Sequence, residues 1–449
     1  MQNFFPHFLW GRAPALFPAY HSSPLPIPQD HLGILKNALA RSREIRYNGS
    51  KNPLGRELRK GTEGWKKKGP PQCTAVRLQR GCDLKMTTGI SSEFDRPLTR
   101  EEMAGVIEGK GRARRVPIAV QHWADPSVFG EKAPLIREIL DSCPCDFTRI
   151  DFKIPDVFQA PKDAPSYRWM NVDNFFPENT SLDAVTALQW DQLDAVLADF
   201  PDPGYPGLIP GNVPPDDGTY RVGLWWYWLF ERLWSLRGME NALCDFYESP
   251  DKVHRLFRAL TDFYKVMLRR GREELRLDAV WTSDDIGTQK GPFFSLEIFR
   301  EFFKPYYREL IEYAHQLGMH FWLHACGNIE MMIPDLIEIG LDVLHPIQKY
   351  TMQEREIAEK FGGQLCFWAG FDVQQIIPYG TPEEVREEVR FMIDTYYRPE
   401  GRLILAAGNN MTPDTPPESL RALLDEALRY GTEKCKGQQA FHPYSEAGM

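Results

Sequence analysis

The chain has 449 residues, 43% of them hydrophobic, and a net charge of −9, so it is long enough to bury one large core or two ordinary ones. No apolar run approaches the roughly 20 residues needed to span a bilayer, and eight cysteines scattered from Cys73 to Cys435 are not the dense framework of a small secreted fold. A soluble protein of a reducing cytoplasm is expected, with no membrane partner.

The charge is unevenly spread. Residues 1–85 carry 15 Lys+Arg against 5 Asp+Glu, with nine prolines and the run Lys66, Lys67, Lys68. They read as a basic, Pro-rich extension that is disordered or lies upstream of a start at Met86. The signal-peptide order of charged then apolar regions is missing there. Residues 86–449 are acidic and read as a single domain, which argues against nucleic acid as the partner.

From Met86 the punctuation is regular. Thr99 with Glu102 forms a capping box that opens a helix, and RVPIAVQ (115–121) follows as a strand. Next come CPC (143–145), read as a turn, and the strand DFTRIDF (146–152). GLWWYWLFERLW (223–234) reads as a buried aromatic helix, with Trp225, Trp226, Tyr227 and Trp228 as packing. Strand-length apolar runs then recur at 278–285, 320–327, 342–348, 364–372 and 402–410, separated by helical patterns. Thr381-Pro382 with Glu384, and Thr415-Pro416 with Glu418, mark two of the later helix starts.

Strands alternating with helices imply a parallel sheet with right-handed crossovers. A doubly wound sheet would satisfy the pattern, but a (β/α)8 TIM barrel fits the length better. It also explains why polar residues gather where each strand ends: all these ends open on one face. Asp284 and Asp285 close one strand, His324 and Cys326 the next, then Gln348, then Asp372 and Gln374, then Asn409 and Asn410. Adjacent carboxylates on a strand point opposite ways, so one of Asp284 and Asp285 is expected to face the cleft while the other caps a loop or pairs elsewhere. His324 and Cys326, two apart, project to the same side and can reach one ion, and Gly327 lets the chain turn away. A hydrogen-bonded histidine beside a packed thiol is the alternative reading of that pair.

The motifs DDIGTQKGPFFS, HACGNI, IPDLIEIGLDVLHPIQ, FWAGFDVQ, GTPEEVREEV and GNNMTPDTPPES, in that order and spacing, resemble the uroporphyrinogen decarboxylase (URO-D) superfamily. This superfamily includes methyltransferases that exchange methyl groups between corrinoid proteins and thiols. The resemblance, from about residue 95 to 432, implies a single (β/α)8 barrel with its cleft at the C-terminal strand ends. It places substrate-binding candidates at Gln289, Gln348, Asp372, Gln374, Asn409 and Asn410. The decarboxylases carry an arginine pair after the first barrel strand; here His122 and Trp123 stand there, suited to a flat or methylated ligand. The methyltransferase branch binds zinc through a His-x-Cys-Gly motif and a later cysteine. His324, Cys326 and Gly327 match the first part, whereas Asn409 stands at the later position. A third ligand would then come from Cys366, Asp284, Asp285 or His345.

The implied function is metal-assisted methyl transfer between a corrinoid carrier, or a methylated small molecule, and a thiol or pterin acceptor. Asp284, Asp285 and His324 are the catalytic candidates, Zn2+ and a partner-held corrinoid the cofactors, and a corrinoid protein and a second copy of the chain the partners. The alternatives are a carboxy-lyase acting on a porphyrinogen or a smaller acid, and a non-catalytic barrel that binds a corrinoid or tetrapyrrole.

Overall fold

The structure, a computed structural model, describes residues 94–111, 113–154, 188–198 and 202–439. The basic segment 1–85 lies outside the described residues. Seven strands form one all-parallel sheet in chain order: β1 Phe147–Asp151, β2 Tyr220–Trp225, β3 Ala279–Ser283, β4 His320–His324, β5 Val343–His345, β6 Cys366–Phe371 and β7 Leu403–Ala407. The five later strands fall inside the five apolar runs, and β1 inside DFTRIDF. Every residue of β2, β3, β5, β6 and β7 is buried, which is why these segments are largely apolar on both faces rather than alternating.

The eighth position of the barrel is reduced. RVPIAVQ contributes one bridge, Ile118 to Leu405 of β7, supported by Ala119 N–H to the Leu405 carbonyl (2.9 Å) and Leu405 N–H to the Pro117 carbonyl (2.9 Å). On its other side the Asp146 N–H, at the entry to β1, donates to the Ile118 carbonyl (2.9 Å). Pro117 has no N–H to extend the ladder, and from Val120 to Trp123 the chain turns into a 3-10 helix, so the predicted strand shrinks to this seam. Asp146 secures it: its buried carboxylate accepts from Leu98 N–H (2.7 Å), Ile118 N–H (2.6 Å) and both terminal nitrogens of the buried Arg115 (2.6 and 2.8 Å).

A second element also departs from the sequence reading. Residues 223–225 end strand β2, the chain turns through Tyr227 at φ 63°, and only Phe230–Arg237 is helical. A strand buried on both faces and a buried helix are equally apolar, so periodicity does not separate them. The capping boxes at Thr99 and Thr381 form as read and start helices Arg100–Glu108 and Pro382–Tyr396, while the last helix begins at Pro417.

Inside the sheet, Trp281 and Trp322 are direct partners across β3 and β4. Trp368 packs 4.7 Å from Trp281 and 5.4 Å from Trp322, and Trp123 lies 5.1 Å from Trp281. These indoles fill the barrel axis with packed side chains, leaving the strand ends as the place for chemistry. No helix among the described residues is long and apolar enough to cross a membrane.

Candidate metal and active site

The C-terminal ends of β3 and β4 bring three ligand-type side chains together. Asp285, His324 and Cys326 each offer one donor atom, and these atoms all lie within 4.8 Å of one another. The Cys326 Sγ is 3.2 Å from His324 Nε2, and Asp285 Oδ1 is 3.6 Å from the same nitrogen. Asp285 Oδ1 also accepts the Cys326 N–H (2.7 Å), which ties the end of β4 to that of β3. Beyond Cys326, Gly327 adopts φ +90°, and a Cβ on it would sit 2.5 Å from the Gly287 backbone. Only glycine allows this left-handed turn at such close approach. The Gln348 side-chain oxygen holds the turn by accepting the Gly327 N–H (2.6 Å).

Asn409, after β7, supplies the next neighbour: its Nδ2 lies 3.6 Å from Cys326 Sγ. Burial pushes the Cys326 thiol well above its ordinary range, with Asp285 and Glu231 adding to the rise. Burial lowers His324, opposed by Asp285, so its imidazole is neutral near pH 7. A neutral imidazole, a carboxylate and a thiol able to ionise on binding make a donor set that suits zinc, with one coordination position left for an exchangeable ligand.

The two adjacent aspartates have different work. Asp284 is fully buried and accepts from the N–H groups of Leu229, Phe230 and Glu231 (3.1, 3.1 and 2.8 Å) and from the Tyr307 hydroxyl (2.5 Å). It therefore caps the start of helix Phe230–Arg237. Burial raises its pKa to about 6 against those hydrogen bonds, which leaves it mainly ionised at neutral pH. This arrangement assigns Asp284 to architecture rather than catalysis, and Asp285 to the cluster. Tyr307→Phe removes one charge-assisted bond; it is expected to lower unfolding free energy by about 1.5–3 kcal/mol in urea titrations while leaving metal content unchanged.

Several other candidates lie apart from the cluster. Cys366 opens β6 and its N–H bonds the Asp342 carbonyl (3.2 Å), so it lies at the opposite end of the barrel. Five residues of strand separate it from the mouth, on the order of 17 Å, so it cannot be the third ligand. Asp372 is 5% exposed and accepts from the N–H groups of Gln374, Gln375 and Ile376 and from the Tyr350 hydroxyl, capping the short helix Ile376–Tyr379. Trp123, 2% exposed, is the floor of the site and not a ligand contact: it stacks flat on His345 at 4.3 Å. The His122 ring stacks on Phe147 (4.1 Å) and its Nε2 meets the Phe147 carbonyl (3.1 Å) and Cys145 Sγ (3.2 Å). Burial, with Arg149 nearby, pushes its pKa down to about 3, so it packs as a neutral ring. Gln289, Gln374 and Asn410 are exposed. The Asn410 N–H bonds the Asn409 side-chain oxygen (2.7 Å).

Three residues that the sequence does not single out as binding or catalytic candidates, and His345, a candidate third ligand, complete the surroundings. Trp226, at the end of β2, is partly exposed and stacks against His324 at 5.4 Å, forming a wall of the site. Its strand-end position would have been the signal, had β2 been recognised. His345 touches His324 directly, Nδ1 to Nδ1 at 2.7 Å. Glu231 is buried with Oε2 unpartnered among the described residues, and burial beside Asp285 and Asp284 raises its pKa well above the carboxylate range. Arg149, on β1, lies 5.9 Å from the Trp281 ring, but its fork is engaged by Asp151 (2.6 and 2.9 Å). It is therefore not a free clamp for a substrate carboxylate.

Comparison with known proteins agrees with the motifs. Residues 232–430 match the family described as Uroporphyrinogen decarboxylase (URO-D). A methylated-thiol–coenzyme M methyltransferase of Methanosarcina mazei is 27% identical over 191 residues, 42% of this chain and 47% of that protein. A uroporphyrinogen decarboxylase of Xanthomonas oryzae pv. oryzae is 24% identical over 198 residues, 41% of this chain and 51% of that protein. The chain thus spans about half the length of the curated relatives it matches. Among solved structures, a methyltransferase from Methanosarcina mazei aligns with 73% of this chain and 98% of its own at 14% identity and a TM-score of 0.47. The protein is an α/β barrel whose residues 232–430 are similar to the URO-D family.

Proposed function

We propose that the protein is a metal-assisted methyltransferase of the URO-D superfamily. The observation that carries this reading is the convergence of Asp285, His324 and Cys326 at the barrel mouth. The similarity to a protein named as a thiol methyltransferase supports it. The His-x-Cys pair of the methyltransferase branch is present, and Asp285 takes the part of third ligand while Asn409 replaces the later cysteine.

Asp285, His324 and Cys326 would hold zinc, which when bound supplies the Lewis acidity that keeps an acceptor thiol as thiolate near neutral pH. The chain's own groups do the rest. Asn409 donates toward the Cys326 sulfur, and Trp226 gives an apolar wall that excludes water and orients a methylated or flat ligand. In the transfer to a thiol the acceptor's carbon–sulfur bond forms, or to a pterin its carbon–nitrogen bond, as the donor's bond to methyl breaks. The donor keeps that bond's electron pair, and the acceptor's S–H or N–H proton leaves to solvent. A corrinoid held by a partner protein is the proposed donor and a small thiol or a pterin the acceptor, in the cytoplasm.

The direct test mixes metal-loaded full-length protein with methylcobalamin and a panel of thiols. Thiol-dependent loss of the methylcobalamin spectrum, with methylated thiol detected by mass spectrometry, is expected for the native protein and absent in Cys326→Ala. Carbon dioxide release from a porphyrinogen, without any methyl transfer, would establish the carboxy-lyase reading in its place.

A further inference from the structure

We infer that His345 is a positioning residue that sets the tautomer of His324, holding the bare Nε2 of His324 toward Cys326 and Asp285. This rests on reading Asp285, His324 and Cys326 as a metal centre, and it adds a residue that touches neither ion nor substrate.

One chain of contacts fixes where the protons sit. His345 Nε2 lies 2.9 Å from the Ala407 carbonyl oxygen at the end of β7. A carbonyl only accepts, so that nitrogen must carry hydrogen. His345 is 1% exposed, and its neighbours are Trp123, Trp368, His324 and that carbonyl. An imidazolium there would be a buried charge without a counter-ion, so the ring is neutral and its Nδ1 is bare. Because His324 Nδ1 is 2.7 Å from this bare nitrogen, it must be the donor. The one hydrogen of a neutral His324 is then spent on Nδ1, and Nε2 presents its lone pair where Cys326 Sγ stands 3.2 Å away and Asp285 Oδ1 3.6 Å away.

Ligand histidines are commonly held through their other nitrogen by a carbonyl or carboxylate. Here a second imidazole stands between, accepting on one nitrogen and donating on the other, so that the Ala407 carbonyl of β7 orients a side chain of β4 through the end of β5. The flat stacking of Trp123 on His345, 9° between ring planes, keeps the intermediary from rotating.

The test compares wild type with His345→Gln and His345→Phe in the full chain. Glutamine can reproduce both contacts, its amide nitrogen donating to Ala407 and its oxygen accepting from His324; phenylalanine can do neither. In metal-free protein carrying 15N-labelled histidine, with His324 assigned by its substitution, we expect a protonated Nδ1 and a bare Nε2. This pattern persists in His345→Gln and is lost in His345→Phe. Zinc affinity, read by competition with a chromogenic chelator, falls roughly 10–100-fold in His345→Phe and recovers in His345→Gln. A protonated Nε2 in the wild type, or undiminished zinc affinity in a folded His345→Phe, overturns the inference. The expected tautomer without any zinc binding would uphold the role of His345 and remove the metal reading instead.

Discussion

By elemental analysis, the doubly substituted protein His324→Ala/Cys326→Ala is expected to purify without zinc and the native chain with about one equivalent. Two of three protein donors disappear together. Zinc held by four ligands in small sites is worth about 10–16 kcal/mol, or roughly 3 kcal/mol for each, which is on the order of a hundredfold in affinity per ligand removed. Asp285→Ala alone is expected to lose about that factor. Both variants should fold, because the deleted atoms lie at the strand ends above the packed indoles rather than among them. Native protein that carries no metal after growth and purification with zinc would remove the basis of the methyl-transfer reading.

The largest stability loss is expected from Asp146→Ala. That carboxylate is fully buried and gathers four hydrogen bonds, two from backbone N–H groups of Leu98 and Ile118 and two from Arg115. Arg115 also donates from Nε to the Phe94 carbonyl (2.9 Å) and from Nη2 to the Arg96 carbonyl (2.9 Å). Removing the acceptor leaves a guanidinium charge with no counter-ion in the interior, a loss of about 3–5 kcal/mol. Urea titration followed by tryptophan fluorescence measures it directly. The paired change Arg115→Met/Asp146→Leu should cost less than Asp146→Ala, because it removes both charges instead of stranding one. Equal midpoints for Asp146→Ala and native protein would mean that the seam between Ile118 and β1 is held by something else.

Much of the architecture could be read before any coordinates. The later strands are apolar runs bounded by helices whose starts are marked, at Thr381 for instance by an N-cap, a proline and a capping glutamate that all form as written. What escaped was whatever depends on a partner far along the chain. The end of β2, residues 223–225, reads as helix in the sequence because full burial erases the alternation that would distinguish it. Ile118 keeps one bridge of an expected strand because Pro117 interrupts the ladder. Asp284 and Asp285 look alike in sequence; only the backbone N–H groups of residues 229–231, more than fifty positions earlier, divide their roles. The link between His324 and His345 likewise exists only because β4 and β5 are hydrogen-bonded in register at those two residues. Cys366, a candidate ligand on residue type alone, sits at the wrong end of its strand.

The indoles of Trp123, Trp281, Trp322 and Trp368 pack against one another across the axis of the barrel among the described residues. For any reaction between two molecules at Asp285, His324 and Cys326, both must therefore come and go through the same doorway. On the proposed methyl transfer, a bulky donor seated there would block a second visitor, so the small acceptor is expected to enter first and its product to leave last. On that reading the order of binding follows from the tryptophans packed below the site rather than from the site's own side chains.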